Sequence, residues 1–186
     1  MEAFAVSTLA VALAEFGDRT QLLAIVLAAR FRKPWPIAAG ILAATLVNHG
    51  VSAWIGEWAG DLVGEWARWI VGLSFLAMAV WILIPDKDGD EAGRFAGHGA
   101  FVTTLVLFFL VELGDKTQIA TMLLAARFES VLAVATGTTL GMMLANVPAV
   151  WLGDRLAPYL KTDWFRRAAA AAFLALGLAA LAGWMV

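Results

Sequence analysis

Two short stretches of the sequence carry acidic and amide side chains inside long apolar segments. Each stretch has a glutamate, an aspartate and a glutamine at intervals of three residues, a spacing that turns side chains toward one side of a helix. The six residues are Glu15, Asp18, Gln21, Glu112, Asp115 and Gln118. Carboxylates and carbonyls are the oxygen ligands that hard divalent cations prefer. The pattern therefore predicts a metal site for a divalent cation, provided that the fold brings the two stretches together.

The charges in these stretches are costly in a membrane. On insertion scales, each charge near the bilayer centre costs about 2.5–3.5 kcal/mol. Arg19 and Lys116 each follow the glutamate of their stretch by four residues, so each is expected to pair with that glutamate when no ion is bound. A structural ion-pair network between two helices is the alternative interpretation. The duplication of the carboxylate pair favours an ion or proton pathway.

Glycine separates the two carboxylates of each stretch. Gly17 and Gly114 lower the helical propensity at this point and allow close approach of the backbone. Irregular backbone is tolerated at membrane depth where it is buried in protein or lines a cavity. We therefore expect a local unwinding of the helix at both glycines.

The composition sets the class of protein. Of 186 residues, 62% are apolar and 15% are charged, and the mean hydropathy is +0.81. Soluble domains are nearer half apolar and a quarter charged, so the sequence predicts an all-α membrane protein. The absence of cysteine excludes thiol catalysis and cysteine-bound metal. The net charge of −2 provides no basic surface for nucleic acid. No cofactor is expected.

Six apolar segments predict six transmembrane helices, since a spanning helix needs roughly 20 apolar residues. The predicted spans are 3–29, 36–57, 66–85, 99–126, 131–153 and 165–186. Most tryptophans fall near the ends of these segments, where indole rings favour the headgroup region. The predicted domains are a three-helix repeat at 1–85, an acidic linker at 86–98 and a second repeat at 99–186.

The two halves of the chain are copies of one sequence. Residues 15–31 match residues 112–128 at ten of seventeen positions, and the register continues without a gap to Gly56 and Gly153. Because each copy has three spans, the second copy must cross the membrane in the opposite sense. Inverted repeats with a binding site at their interface are a recurring architecture of secondary transporters.

The distribution of basic residues predicts the orientation in the membrane. Nine basic residues flank the first, third and fifth connections, and two lie on the opposite side. Basic residues concentrate on the cytoplasmic side. We therefore expect a multi-pass protein of the plasma (inner) membrane with both termini outside and the central loop in the cytoplasm.

Other polar residues lie in the predicted second and fifth spans. The repeat register aligns His49, which follows Asn48, with Asn146. These side chains could supply supporting ligands, but hydrogen bonding between helices is the favoured interpretation.

The motifs Glu15-Phe-Gly-Asp-Arg-Thr20 and Glu112-Leu-Gly-Asp-Lys-Thr117 resemble the duplicated Glu-x-Gly-Asp-Lys/Arg-Thr/Ser hallmark of a family of manganese and calcium exporters. The family includes bacterial manganese exporters of the MneA type and Golgi cation/proton antiporters of the Gdt type. The resemblance covers essentially the whole chain. It implies two inverted triplets of spans and a cytosolic acidic loop. It also implies that Glu15, Asp18, Glu112 and Asp115 bind the cation.

The leading hypothesis is a secondary transporter that exports Mn²⁺ from the cytoplasm in exchange for protons, with Ca²⁺ left open as the cargo. Protons and the cation would compete for the same carboxylates. The expected partners are a divalent cation, protons and the lipid bilayer, and a homodimer is compatible with the sequence. The alternatives are a passive cation channel and an amino-acid exporter on a related scaffold. An intramembrane aspartyl protease using Asp18 and Asp115 is less favoured, because the Gly-x-Gly-Asp pattern is missing.

Overall fold

The computed structural model of the protein describes residues 1–84, 99–160 and 163–183, and these residues form helices joined by short turns, with no strand among them. The helices are α1 (Glu2–Glu15), α2 (Arg19–Phe31), α3 (Pro34–Val63), α4 (Ala67–Ile82), α5 (Ala100–Glu112), α6 (Lys116–Phe128), α7 (Val131–Leu160) and α8 (Asp163–Leu181). A 3-10 turn at Gly64–Trp66 joins α3 to α4. The predicted linker 86–98 and the last residues of the sixth predicted span, 184–186, lie outside the described residues.

The helices of the two halves correspond in register. Helices α6 and α7 begin and end 97 residues after α2 and α3, and α5 and α8 match α1 and α4 to within two residues. The sequence repeat is therefore also a repeat of structure, made of a broken helix pair, a long helix and a further helix. Because every regular element in the described residues is a helix, the predicted all-α class is confirmed.

The first and fourth predicted spans, 3–29 and 99–126, are each broken into two helices rather than continuous. The breaks fall at residues 16–18 and 113–115. Gly17 has φ 80° and Gly114 has φ 75°, in the left-handed region that glycine adopts without strain. The predicted unwinding at these two glycines is confirmed. The expectation that glutamate and aspartate share one helical face is wrong, because each glutamate ends one helix and each aspartate precedes the next.

Glutamine side chains form hydrogen bonds to the backbone at the two breaks. The Oε1 atom of Gln21 accepts a hydrogen bond from the backbone N–H of Gly17 at 2.8 Å, and Oε1 of Gln118 accepts one from Gly114 at 2.7 Å. The first N–H groups of a helix have no partner within the helix. A glutamine in the first turn reaches back to the residues before it, much as in a capping box. The repeated glutamine thus stabilises the broken backbone at both sites.

In the described part of the chain, three helices are long and apolar enough to cross a membrane. They are α3, α7 over residues 131–152, and α8 over residues 164–181, while α4 and α5 are shorter apolar helices. Helix α3 has 30 residues and begins with Pro34 at its first position, where proline is tolerated. At 1.5 Å per residue this helix is about 45 Å long, more than the thickness of the hydrocarbon core.

The two halves pack against each other reciprocally. A Cβ atom added to Gly40 would lie 2.8 Å from Cβ of Thr104, and one added to Gly137 would lie 3.1 Å from Cβ of Ser7. Gly137 and Thr104 are the repeat counterparts of Gly40 and Ser7. The same kind of contact therefore occurs again with the two copies exchanged. Close approach at glycine is common where helices pack in membranes.

Candidate cation site

The acidic residues lie at the two helix breaks. Glu15 and Glu112 are the last residues of α1 and α5, and Asp18 and Asp115 occupy the N-cap positions of α2 and α6. Helix N-termini carry a partial positive charge and favour carboxylates nearby. The breaks therefore place three buried carboxylates, those of Glu15, Glu112 and Asp115, beside helix ends, while Asp18 is half-buried and Gly114 is exposed.

Three of the predicted residues come together in one group. Oxygen atoms of Glu15, Glu112 and Asp115 all lie within 4.8 Å of one another, and the three side chains are buried. The group contains residues from both halves of the chain. Carboxylate oxygens at this separation fit the coordination of one divalent cation.

Two threonine hydroxyls donate to Glu15. Oγ1 of Thr20 lies 2.5 Å from Oε2 of Glu15, and Oγ1 of Thr117 donates to Oε1 of the same carboxylate. Thr20 comes from the same half as Glu15, and Thr117 comes from the other half. Both oxygens of Glu15 are thus satisfied, and the Thr117 contact joins the repeats directly.

Arg19 crosses between the halves to reach Asp115. Its Nη2 atom lies 2.9 Å from Oδ1 of Asp115 and 2.6 Å from the carbonyl oxygen of Val111. The expectation that Arg19 pairs with Glu15 is wrong, because the break at Gly17 places these two residues on different helices. Lys116, the counterpart of Arg19 in the second half, is arranged differently. Its Nζ atom donates to the carbonyl oxygen of Ile84 at 2.8 Å.

Glu112 is the unsatisfied member of the group. It is completely buried, and neither carboxylate oxygen has a hydrogen-bond partner among the described residues. The charges of Glu15, Asp115, Asp18 and Arg19 all act on it. The three grouped carboxylates and the Arg19 guanidinium carry a formal charge of −2 when all are ionised, equal and opposite to that of one divalent cation.

The other predicted site residues lie around this group. Asp18 is half-buried and lies outside the group of three, although its charge reaches Glu112. Gln21 is fully buried and its Nε2 atom donates to the carbonyl oxygen of Ala145 at 2.7 Å, while Gln118 is half-buried. Because the Oε1 atoms of both glutamines accept backbone hydrogen bonds, these side chains hold the breaks in place.

The polar residues of α3 and α7 are also buried near the site. Nδ2 of Asn48 donates to the carbonyl oxygen of Phe109 at 3.2 Å, a hydrogen bond between helices as expected. Asn146 lies next to Glu15, and its Nδ2 atom donates to the carbonyl oxygen of Met142 in its own helix. His49 is fully buried, and neither ring nitrogen has a hydrogen-bond partner in the described part of the chain.

Comparison with known proteins agrees with this geometry. Residues 3–90 and 100–185 match the family model described as "Divalent cation/proton antiporter GDT1". The chain belongs to the GDT1 family. No solved structure gives a significant match to the chain.

Curated relatives match along most of their length. A Vibrio cholerae protein named "Putative manganese exporter" is 48% identical over 182 residues, which cover 96% of this chain and 90% of the relative. The "GDT1-like protein sll0615" of Synechocystis is 25% identical over 84% of this chain and 85% of its own length. The "GDT1-like protein 5" of Arabidopsis thaliana is 26% identical over 91% of this chain.

Membership of the GDT1 family confirms the family resemblance and the prediction that the chain is a membrane cation transporter and not an enzyme. The protease alternative, with Asp18 and Asp115 as its catalytic pair, is therefore set aside.

Thr20 and Thr117 are part of the repeated motif, and the sequence places their hydroxyls near the carboxylates, but it does not indicate that both hydroxyls donate to Glu15. Arg19 was recognised as a counter-ion, but not its partner in the other half.

Proposed function

We propose that this member of the GDT1 family exports Mn²⁺ from the cytoplasm in exchange for protons. The observation that carries the proposal is the buried group of Glu15, Glu112 and Asp115, whose oxygens lie within 4.8 Å of one another. A group of carboxylates inside a membrane protein is costly unless it binds a cation or protons. Mn²⁺ is preferred as the cargo because a 48% identical relative is named for manganese export.

The carboxylates that bind the ion also serve as proton acceptors. A divalent cation and protons compete for the same oxygens, since a carboxylate that binds a proton loses the charge that attracts the metal. Proton binding from the acidic side of the membrane therefore releases the cation there, and cation binding from the other side releases protons. Asp18 takes part as the fourth carboxylate, and Gln21 and Gln118 act mainly by holding the helix breaks.

The proposed topology has six spans in two inverted repeats of three, with boundaries at residues 1–85 and 99–186 and a cytoplasmic linker between them. The broken pairs α1–α2 and α5–α6 each count as one span. The reciprocal contacts Gly40–Thr104 and Gly137–Ser7 support a two-fold axis between the repeats. Both termini are then outside the plasma (inner) membrane, as the distribution of basic residues predicts. A homodimer stays a prediction.

Transport in proteoliposomes tests this function. The purified protein is reconstituted, and entry of Mn²⁺, Ca²⁺ or Mg²⁺ is followed with an enclosed dye, with and without an imposed pH gradient. We expect Mn²⁺ entry that rises when the vesicle interior is the more acidic side. Glu112→Gln keeps the shape of the side chain and removes its charge, so we expect at least tenfold slower Mn²⁺ entry.

Asp61→Asn is the matched control, because Asp61 is an exposed carboxylate near the end of α3. It should transport as the unmodified protein does. Equal Mn²⁺ entry in Glu112→Gln and Asp61→Asn would reject the carboxylate site. If Mn²⁺ entry does not depend on the pH gradient, proton exchange is rejected and a passive cation channel becomes the favoured function.

A further inference from the structure

His49 is a buried polar side chain near the middle of α3 that has no hydrogen-bond partner within the described ranges. It is 0% exposed, and neither ring nitrogen has a hydrogen-bond partner among the described residues. A buried polar group without a partner costs about 1–3 kcal/mol. A hydrophobic side chain of similar size would avoid this cost. The two ring nitrogens are therefore available to a ligand from outside the chain.

The packing of α3 places His49 at the level of the second helix break. Along α3, Gly40 packs against Thr104 in α5, and Gly56 packs against the backbone of Met122 in α6. Between them, Asn48 donates to the carbonyl oxygen of Phe109, one turn before the end of α5. The part of α3 that follows Asn48 must then run beside residues 112–115, where the helix is broken.

The repeat register indicates which side of the site His49 belongs to. Asn146 is the repeat counterpart of His49, and it lies next to Glu15. The counterpart of Glu15 is Glu112. By exchange of the two copies we expect His49 on the Glu112 side of the site, and the carboxylate oxygens of Glu112 are also buried and without a partner in the described residues.

We propose that His49 is a nitrogen ligand of the transported ion, bound together with Glu112, and that it makes the transporter selective for Mn²⁺ over Ca²⁺ and Mg²⁺. The inference rests on the proposed function. His49 lies outside the group of three carboxylates, so ligation requires the imidazole to turn toward Glu112.

The chemistry of the donor set explains the selectivity. Ca²⁺, Mg²⁺ and Mn²⁺ all favour oxygen ligands in proteins, but Mn²⁺ is a transition-metal ion and also accepts an imidazole nitrogen, which Ca²⁺ and Mg²⁺ bind poorly. On the Glu15 side of the site, the residue equivalent to His49 is Asn146. The side chain of Asn146 can offer a metal ion only its amide oxygen. A nitrogen ligand on only one side of the site would retain Mn²⁺ and give Ca²⁺ no additional contact.

Pulsed electron paramagnetic resonance tests the ligation directly, because Mn²⁺ is paramagnetic and a coordinated imidazole modulates its signal through ¹⁴N. The chain has only two histidines, His49 and His98, so the source of an imidazole signal can be assigned. The protein is purified through a tag without histidine and loaded with Mn²⁺ alone. We expect the imidazole ¹⁴N signal in the unmodified protein and in His98→Asn, and its loss in His49→Asn and His49→Gln.

Competition in proteoliposomes provides the second readout. We expect His49→Asn to lower the ratio of Mn²⁺ to Ca²⁺ transport about tenfold, by weakening Mn²⁺ binding while Ca²⁺ transport is retained. Mn²⁺ transport by the unmodified protein without any imidazole signal would overturn the role of His49 and leave the carboxylate site intact. An unchanged Mn²⁺ to Ca²⁺ ratio in His49→Asn would also overturn it. Failure of the unmodified protein to bind or transport Mn²⁺ would instead overturn the proposed function itself.

Discussion

The Arg19 guanidinium lies 2.9 Å from the Asp115 carboxylate and joins the first helix break to the second. Asp115 is 4% exposed and Arg19 is 31% exposed, so the pair lies at the edge of the buried group. The guanidinium occupies one oxygen of a carboxylate that belongs to the candidate cation site. In the proposed site, a bound divalent cation and Arg19 would compete for Asp115.

We predict that Arg19→Gln makes the protein more dependent on Mn²⁺ for stability. Loss of the guanidinium leaves the buried Asp115 carboxylate without its cationic partner, which costs about 1–3 kcal/mol in the absence of metal even though the backbone N–H of Thr117 still donates to it. Mn²⁺ then binds without displacing an internal cation, so it raises the melting temperature more than in the unmodified protein. Thermal unfolding in detergent at several Mn²⁺ concentrations measures both effects.

Lys116→Gln is the control for Arg19→Gln. Lys116 holds the equivalent position in the second repeat, but its ammonium donates to the carbonyl oxygen of Ile84. Its removal should leave the stabilisation by Mn²⁺ unchanged. If both variants respond to Mn²⁺ as the unmodified protein does, Arg19 and the metal do not share Asp115.

The second prediction concerns the hydroxyl of Thr117, which reaches Glu15 from the opposite half of the chain. Thr117→Val keeps the shape of the side chain and removes the donor, which destabilises the protein by about 1–2 kcal/mol. Mn²⁺ transport should also slow, since Glu15 is no longer held against the second break. Thr117→Ser retains the hydroxyl and should behave nearly as the unmodified protein. Equal stability of the valine and serine variants would show that the hydrogen bond contributes nothing.

The broken helices and their acidic residues could largely be predicted from the sequence. The repeat identified both motifs, and the position of Gly17 and Gly114 between carboxylates predicted where the helices unwind. These features could be predicted because they are local. A glycine that favours positive φ and a charged residue in an apolar segment can each be recognised from a single position in the sequence. The positions of the tryptophans and of the loop residues predicted where the other helices begin to within two residues, but α3 and α7 end six and seven residues beyond the predicted spans.

The partners of the side chains could not be predicted in the same way. The spacing of four residues suggested that Arg19 would pair with Glu15, but this argument assumes that both residues lie on one continuous helix. Once the chain breaks at Gly17, Arg19 belongs to a new helix and faces Asp115. The two copies have nearly the same motif, and yet Glu15 receives both threonine hydroxyls while Glu112 receives none. Such asymmetry depends on how the halves pack and is absent from a repeated sequence.

The third prediction separates two roles of Gln118. Its Oε1 atom accepts the backbone hydrogen bond of Gly114, so Gln118→Leu should destabilise the protein in the absence of metal by about 1 kcal/mol, as loss of a helix cap does. Gln118→Glu keeps the acceptor and should restore this stability. Thermal unfolding without metal and Mn²⁺ titration of both variants make the comparison. A leucine variant with unchanged stability and much weaker Mn²⁺ binding would mean that Gln118 acts as a ligand rather than as a cap.

The last prediction tests the packing that holds α3 against the second broken helix. A Cβ atom on Gly56 would lie 2.1 Å from the carbonyl oxygen of Met122, a backbone atom that cannot move aside without shifting α6. We therefore expect Gly56→Ala to reduce the yield of folded protein sharply or to lower its melting temperature by many degrees. Gly50, in the same helix, has no atom within 4 Å of an added Cβ. Alanine there should be neutral or stabilise the helix by up to about 1 kcal/mol, because glycine is the poorer helix former. Size-exclusion profiles after heating compare the two variants directly, and similar behaviour of both would contradict the close contact of α3 with α6.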